Sequence, residues 1–385
     1  MNRKNIYLDN AATTPMSPAV VSKISEEMAD DFGNASSQHF FGRTARHSVE
    51  QARHILAQSI NAKDKEIIFT SGGSESNNNA IFGTARARNN IGKKIITTKI
   101  EHPSVLNPMT RLQQEGYQVV YLDVDKSGHI SLDQLKDELT PDTILVSIMA
   151  VNNEVGSIMP LKKIGQLVKE SNAYFHVDDV QGYGNLDVDV QELNIDLLST
   201  SAHKINGPKF LGFLYERDGL DVADLLLGGE QELKRRPGTE NVPGIAGFGV
   251  AVSEMKEIDK AAQQEKYTHF QNIILDALKQ ENIEFDVNGS TSGEVSHHVL
   301  NLWLKGIGTY SALTNLDLVG DAVSGGSACT AGSLNPSHVL TAMYGADSPR
   351  LSESIRVSFG RYTTDEEVIK FANDLVKMCQ RLAKK

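Results

Sequence analysis

Between about residues 60 and 215, short apolar runs alternate with helix-patterned stretches, and that alternation leaves the chain few folds to choose from. Ile67-Ile68-Phe69-Thr70 reads as a buried strand, with a helix following from about Ser74. Further strands are expected over 94–98, 118–122, 143–151, 173–177, 196–200 and 210–215. Helices fall between them: one after Pro103, one running to about Glu170, and one opening at Ser131. Ser131 and Gln134 form a capping box, and Leu132, Leu135 and Leu139 give that helix an apolar stripe. Apolar strands separated by helices imply an α/β fold whose sheet is mostly parallel and covered on both faces.

The last third has a different rhythm. A single long helical stretch is expected over 246–280, then strands over 298–303 and 355–358. A final helix opens at a second capping box, Thr364 with Glu367. Its apolar face is Val368, Phe371, Ala372, Leu375, Cys379 and Leu382, which makes Cys379 a core residue. At 385 residues the chain is long enough for two domains. Residues 16–255 are read as a large domain and 1–15 with 256–385 as a smaller one, because chain termini often lie close together.

Charge and cysteine content exclude several classes of function. There are 38 basic and 49 acidic residues, a net charge of −11, which argues against general nucleic-acid or anionic-membrane binding. Two cysteines cannot form a disulfide framework, so a reducing cytoplasm is the expected location. Met1-Asn2-Arg3-Lys4-Asn5 does not open a signal-peptide core, and no apolar run approaches the roughly 20 residues of a membrane span. The 11 histidines are scattered and neither cysteine has metal-ligand spacing, so no metal site is expected. His297 and His298 are adjacent and would face opposite sides of a strand.

Cys329 is the other cysteine. It sits in Val323-Ser324-Gly325-Gly326-Ser327-Ala328-Cys329-Thr330-Ala331-Gly332-Ser333, among residues too small to pack around a core thiol. The run reads either as a mobile loop carrying a reactive thiol or as a turn with one small residue in it. Other segments end predicted strands with polar groups. Thr70-Ser71-Gly72-Gly73-Ser74-Glu75-Ser76-Asn77 closes a strand and opens a helix, so its backbone N–H groups could hold an anion; glycine-rich turns of this kind are also common structural elements. Lys204, in Ser201-Ala202-His203-Lys204, follows the 196–200 strand and is placed for covalent catalysis, although most loop lysines are simply solvated. Asp178 ends the 173–177 strand, where a pyridoxal enzyme needs a carboxylate for its ring nitrogen and where a plain helix cap also sits. Its 26-residue separation from Lys204 allows one helix and one strand, so both could reach one sheet edge. His102 could stack on an aromatic cofactor or merely precede Pro103. Asn153 lies in a strand-end amide pair, and Arg356 lies in a strand-like segment where it would meet a substrate carboxylate or a structural partner.

Together these segments resemble the class V, fold type I pyridoxal-phosphate (PLP) enzymes, and more narrowly the group I cysteine desulfurases of the NifS/IscS type. The resemblance runs from Tyr7-Leu8-Asp9-Asn10-Ala11-Ala12-Thr13-Thr14-Pro15 to Arg356-Val357-Ser358-Phe359-Gly360-Arg361. It takes in Glu101-His102, Asn152-Asn153-Glu154-Val155-Gly156, His176-Val177-Asp178, Ser201-Ala202-His203-Lys204, Arg236-Pro237-Gly238-Thr239 and Gly326-Ser327-Ala328-Cys329-Thr330. It implies a large domain with a mostly parallel seven-stranded sheet sandwiched by helices, plus a smaller α+β domain carrying the Cys329 loop. It also implies a homodimer. Lys204 would hold PLP covalently, Asp178 would pair with the ring nitrogen, Gln181 with the phenolic oxygen, and His102 would stack on the ring. Gly73, Ser74, Ser201 and His203 would bind the phosphate with Thr239 of the partner subunit. Asn153 and Arg356 would orient cofactor and substrate. Cys329 would take sulfur from L-cysteine, leaving L-alanine, and pass its persulfide to an acceptor.

Ala35, Ala202, Gly73-Ser74 and Asn206 depart from common family residues, all as small changes that keep the phosphate donors. The chain ends Arg381-Leu382-Ala383-Lys384-Lys385, soon after the last helix and without the longer tail of some relatives. The acceptor therefore stays open between iron–sulfur assembly, tRNA thiolation and another sulfur carrier. Another class V activity (an aminotransferase or a selenocysteine lyase) and a non-catalytic sulfur-delivery scaffold are the competing readings.

Overall fold

A computed structural model describes residues 5–325 and 336–382. Cys329 lies outside the described residues. The first strand, β1 (Ile6–Tyr7), belongs to a small sheet taken up below. The central sheet contains β2 (Ile67–Thr70), β3 (Lys94–Thr98), β4 (Gln118–Leu122), β5 (Thr143–Met149), β6 (Tyr174–Asp178), β7 (Leu197–Ser199) and β8 (Gly212–Glu216). Their order across the sheet is β2-β8-β7-β6-β5-β3-β4. Every neighbouring pair is parallel except the two made by β8, which runs antiparallel to β2 and β7. This is the mostly parallel seven-stranded sheet that the alternating pattern predicts.

Strands β2, β3, β5 and β7 are buried at every residue, as expected of a sheet covered on both faces. Such strands read as continuous apolar runs rather than as alternation, which is why their positions stand out in the sequence. Because β2, β3, β5, β6 and β7 point the same way, the segments that follow them meet along one edge. In open α/β sheets that carboxyl edge is where ligands bind.

A second core gathers β1, β9 (Phe285–Val287), β10 (Val299–Leu304), β11 (Asp321–Ala322) and β12 (Ser354–Ser358). Strand β10 is central and antiparallel to both β9 and β12, while β11 pairs in parallel with β1. The helices Lys260–Gln280 and Asp365–Leu382 cover this sheet with Phe270, Ile274, Phe371 and Leu375. Cys379 is fully buried there, and burial pushes its thiol up to about 12, so it is the packing residue the apolar stripe predicts. The N-terminal segment joins the two cores. Ile6 and Leu8 pack in the second, whereas Thr14 bonds to the His203 carbonyl in the first. The helix His338–Tyr344 belongs with the larger core through Val339, Leu340 and Met343.

Three local expectations need correction. The 246–280 stretch is two helices, Val242–Lys256 and Lys260–Gln280. Asp259 separates them, its extended backbone letting the side chain accept from the Ala262 N–H at 3.1 Å. At the helix Leu132–Glu138, Ser131 caps Gln134, but the Gln134 amide oxygen accepts from Asp123 N–H instead of closing the box. Thr364 and Glu367 do form the reciprocal pair. Finally, the strand expected over 143–151 ends at Met149, and Val151 makes only an isolated bridge to Ile158. Among the described residues, no helix is long and apolar enough to cross a membrane.

Candidate active site

The carboxyl edge of the sheet opens into a cavity. Lys204 enters it from the short turn Ala202–Lys204 after β7, and Asp178 enters from the end of β6. His102, Asn153, Gln181 and Arg356 line it as well, with Gly73, Ser74, Ser201 and His203 at one end. Residues from five strand ends and from the second core therefore converge on one space. Thr239 does not line this cavity. It lies in a separate pocket with Ser71 and Arg236, and Arg236 pairs with Glu75 at 2.9 Å.

The end holding Gly73 and Ser74 is the first turn of the helix Gly73–Ala87. Its cap is Gly72, at φ +142°, which has no side chain to accept from the first N–H groups. A Cβ on Gly73 would come within 2.5 Å of Val180 Cγ2, so the backbone there sits as close to its neighbours as glycine permits. An open helix N-terminus flanked by two serines and an imidazole is a donor set for a phosphate. His203 is held neutral, burial and the nearby Lys204 and Lys209 pushing it down to about 4, so one ring nitrogen can donate without adding charge.

Asp178 is almost fully buried. Its Oδ2 accepts from Asn77 Nδ2 at 2.7 Å and its Oδ1 from Val180 N–H at 3.1 Å. Asn77 also donates to Ser104 Oγ at 2.8 Å, and Ser104 Oγ lies 2.7 Å from His102 Nδ1. His102 caps the helix Pro103–Gln114 by accepting the Ser104 N–H at Nδ1, so its proton sits on Nε2. Burial lowers the His102 pKa, and the Asp178 carboxylate only partly opposes this. A carboxylate held in this pocket suits a protonated ring nitrogen, and a neutral imidazole beside it can lie against a ring face.

The Lys204 ammonium donates to the carbonyl oxygens of Ala11 and Ala12, the latter at 2.9 Å. Gln181 Nε2 shares the Ala11 oxygen at 2.8 Å. Arg356 is 1% exposed. Its Nη2 meets Asp9 Oδ1 at 2.8 Å and its Nη1 donates to the Asn153 carbonyl at 2.9 Å. The structural partner the sequence allows is therefore present in Asp9, and the arginine also lines the cavity. The Asn152 amide, by contrast, is consumed locally: it donates to Ile100 O and accepts from the Glu154 and Val155 N–H groups.

Sequence reasoning missed several residues of this site. Asn77 and Ser104 link Asp178 to His102, yet each sits in a helix start where polar residues are routine. His338 lines the cavity, and its Nε2 donates to the Glu101 carbonyl at 2.8 Å. Glu154 also lines it and accepts from Ser337 Oγ at 2.5 Å. The Pro336-Ser337-His338 cap signal could have located that helix, but nothing local says which cavity it faces.

Residues 6–371 match the family model for class V aminotransferases. The chain belongs to that family. A Bacillus subtilis (strain 168) relative of the IscS type is 50% identical over 379 residues, spanning 98% of this chain and 100% of the relative. A cysteine desulfurase IscS of Dictyoglomus turgidum is 42% identical, spanning 99% and 96%. Among solved structures, a NifS-like protein superimposes with a TM-score of 0.91 at 32% identity, covering 98% of this chain and 100% of that one. Within the class V aminotransferases the chain therefore stands with the cysteine desulfurases, on the PLP fold type I scaffold. Family members are PLP enzymes.

Proposed function

We propose that the protein is a PLP-dependent cysteine desulfurase that converts L-cysteine to L-alanine and leaves the sulfur as a persulfide on Cys329. The convergence of Lys204, Asp178, an uncapped helix N-terminus and Arg356 on one cavity carries this reading. Lys204 would hold the cofactor covalently, Asp178 its ring nitrogen, Gln181 its phenolic oxygen, and Gly73, Ser74, Ser201 and His203 its phosphate. When bound, the cofactor supplies an electron sink for the substrate Cα.

The other roles belong to the chain. Arg356, fixed between Asp9 and the Asn153 carbonyl, would present its guanidinium edge to the substrate carboxylate. Lys204 Nζ would take the Cα proton once it is free of the Ala11 and Ala12 carbonyls. His102, neutral with its proton on Nε2, would cover the ring and shuttle a proton near the substrate. Cys329 would accept the sulfur. The balance is L-cysteine plus a thiol giving L-alanine plus a persulfide, with no external oxidant. The described flanks of residues 326–335 both attach at the cavity: Ser324 pairs with the Arg356 backbone, and Ser337 bonds to Glu154. That attachment supports the Cys329 assignment.

The relatives' names support the substrate, and one solved relative with a TM-score of 0.82 at 36% identity is described as SspA in complex with cysteine, covering 93% of this chain and 100% of that one. A homodimer completed by Thr239 of the partner subunit, an iron–sulfur scaffold or tRNA-thiolating acceptor, and a cytoplasmic location belong to the same proposal. So does the division into residues 16–255 and 1–15 with 256–385, with the helix His338–Tyr344 of the second unit packing onto the larger core.

The test is to load purified protein with PLP, add L-cysteine and a thiol acceptor, and measure alanine and persulfide. Wild-type protein is expected to release alanine, with the added sulfur found at Cys329 by mass spectrometry. Cys329→Ala should keep the bound cofactor and lose persulfide formation. Turnover by Cys329→Ala equal to wild type would overturn the Cys329 role. Amino transfer to keto acids without desulfuration would instead favour the aminotransferase reading.

A further inference from the structure

Gln181 faces the cavity, and two groups fix its orientation: the Ala11 carbonyl and His298, which lies 117 residues away in sequence, just ahead of β10. The donors and acceptors can be assigned in order. The Ala11 carbonyl can only accept, so the Gln181 group 2.8 Å from it is the amide N–H. The Gln181 oxygen then points at His298 Nε2, 3.1 Å away, and that nitrogen must donate. Its other nitrogen, Nδ1, accepts from Ser296 Oγ at 2.7 Å. His298 is buried, and its burial, with Arg356 and Lys204 nearby, pushes it down to about 3, so the imidazole stays neutral in one tautomer. The carbonyl that sets this chain also holds the Lys204 ammonium.

We propose that His298 is a positioning residue for Gln181, locking its amide so that an N–H rather than the oxygen is offered to the cofactor's phenolic oxygen. This rests on the reading of the cavity as a PLP site. An amide is nearly symmetric in shape, so packing alone cannot choose between its two orientations. A donor at Gln181 Oε1 can. With His298 removed, the Ala11 carbonyl alone opposes the turned amide, so the orientation that offers oxygen to the phenolate gains population and part of an attraction is exchanged for a repulsion. Losing a donor to an anionic oxygen makes the linked site easier to protonate.

The test uses three variants of the holoprotein: His298→Phe, His298→Gln and Ser296→Ala. The readout is the pH midpoint of the bound cofactor's visible absorbance change, with melting of the cofactor-free protein as a check on folding. His298→Phe is expected to raise the midpoint by about one unit, the size of one hydrogen bond to a charged group. His298→Gln, whose Nε2 can donate from a similar position, should return it to within about 0.3 unit, well under the value of one hydrogen bond. Ser296→Ala, which frees the imidazole to change tautomer, should raise it by a smaller amount and serves if the phenylalanine variant does not fold. A midpoint unchanged in folded His298→Phe or, in its place, Ser296→Ala, with the cofactor bound, overturns this inference alone. Wild-type protein that takes up no PLP overturns the site reading itself and is seen before any variant is compared.

Discussion

Glu101 is wholly buried, and burial together with the Asp178 charge pushes its carboxyl up to about 8. Its Oε1 accepts from Thr98 Oγ1 at 2.7 Å and from Met149 N–H at 3.1 Å, tying the end of β3 to β5 directly behind His102. Unfolded, a glutamate releases its proton near pH ~4.3. Between that value and about 8 the folded state keeps a proton that the unfolded state has lost, so stability falls as pH rises across this window and levels off above it. Glu101→Gln keeps both acceptor bonds and cannot ionise. Melting temperatures from about pH 5 to 9 should therefore show the variant gaining on wild type up to about pH 8, with a constant difference beyond. A difference flat across the whole range would mean that Glu101 is ionised in the native protein. At this scale, legibility followed locality. Lys204 and Asp178 were readable because Asp178 ends a strand and Lys204 closely follows one, and each strand's apolar run announces it. Asn77, Ser104 and His298 were not, because each acts only through a partner brought close by the fold, Gln181 and His298 being 117 positions apart.

The exposed edge of β2 is closed by an ion pair instead of by another strand. β2 is the first strand of the sheet, and its outer side meets Arg53 from the helix Phe40–Ser59 and Glu232 from the short turn Gln231–Lys234. Arg53 grips Glu232 with two bonds, 2.8 and 2.7 Å, and donates to Ile67 O at 2.7 Å. Glu232 accepts from Phe69 N–H at 2.9 Å. The edge groups that would template another chain are thereby satisfied. Glu232, Leu233 and Lys234 all adopt left-handed backbone, with φ of 50°, 57° and 74°, a conformation that costs energy for such residues and is held here by the buried pair. Arg53→Met should lower the urea unfolding free energy by about 3–5 kcal/mol, because it strands Glu232 as a buried unpaired charge. A loss below about 1 kcal/mol would place Glu232 in contact with solvent in the native protein. None of this turn was visible in the sequence, since it has neither apolar period nor glycine. Strands β1, β9 and β11 escaped for a related reason: two or three residues are too few to show a period of two.

For the whole molecule, the proposed homodimer requires a contact face, and an aromatic patch on the surface is the candidate for it. Phe32, Phe40 and Phe41 are exposed and touch one another, with ring centroids 5.1 Å apart for Phe32–Phe41 and 5.6 Å for Phe40–Phe41. Arg46, within two turns of Phe40 and Phe41 on the helix Phe40–Ser59, donates to Ala35 O and pairs with Glu240 at 3.0 Å. Glu240 follows Thr239, so the aromatic patch and the Thr239 segment share one face. Apolar rings of this size left in water mark a contact surface. Thr239, away from its own chain's cavity, would then reach the cavity of the partner. Mixed dimers decide this. Lys204→Ala chains lack the lysine and Thr239→Ala chains lack the threonine, so each homodimer should desulfurate L-cysteine poorly. If Thr239 works across the interface, a mixed dimer has one site with Lys204 from one chain and Thr239 from the other, both intact. Activity should return to about half of wild type per dimer, since independent sites contribute additively. If Thr239 serves its own chain, neither site of the mixed dimer is complete, and mixing restores nothing. Phe41→Asp added to either chain should abolish the recovery and give a monomer by light scattering. Recovery that survives in a monomeric preparation would remove the interface from the mechanism.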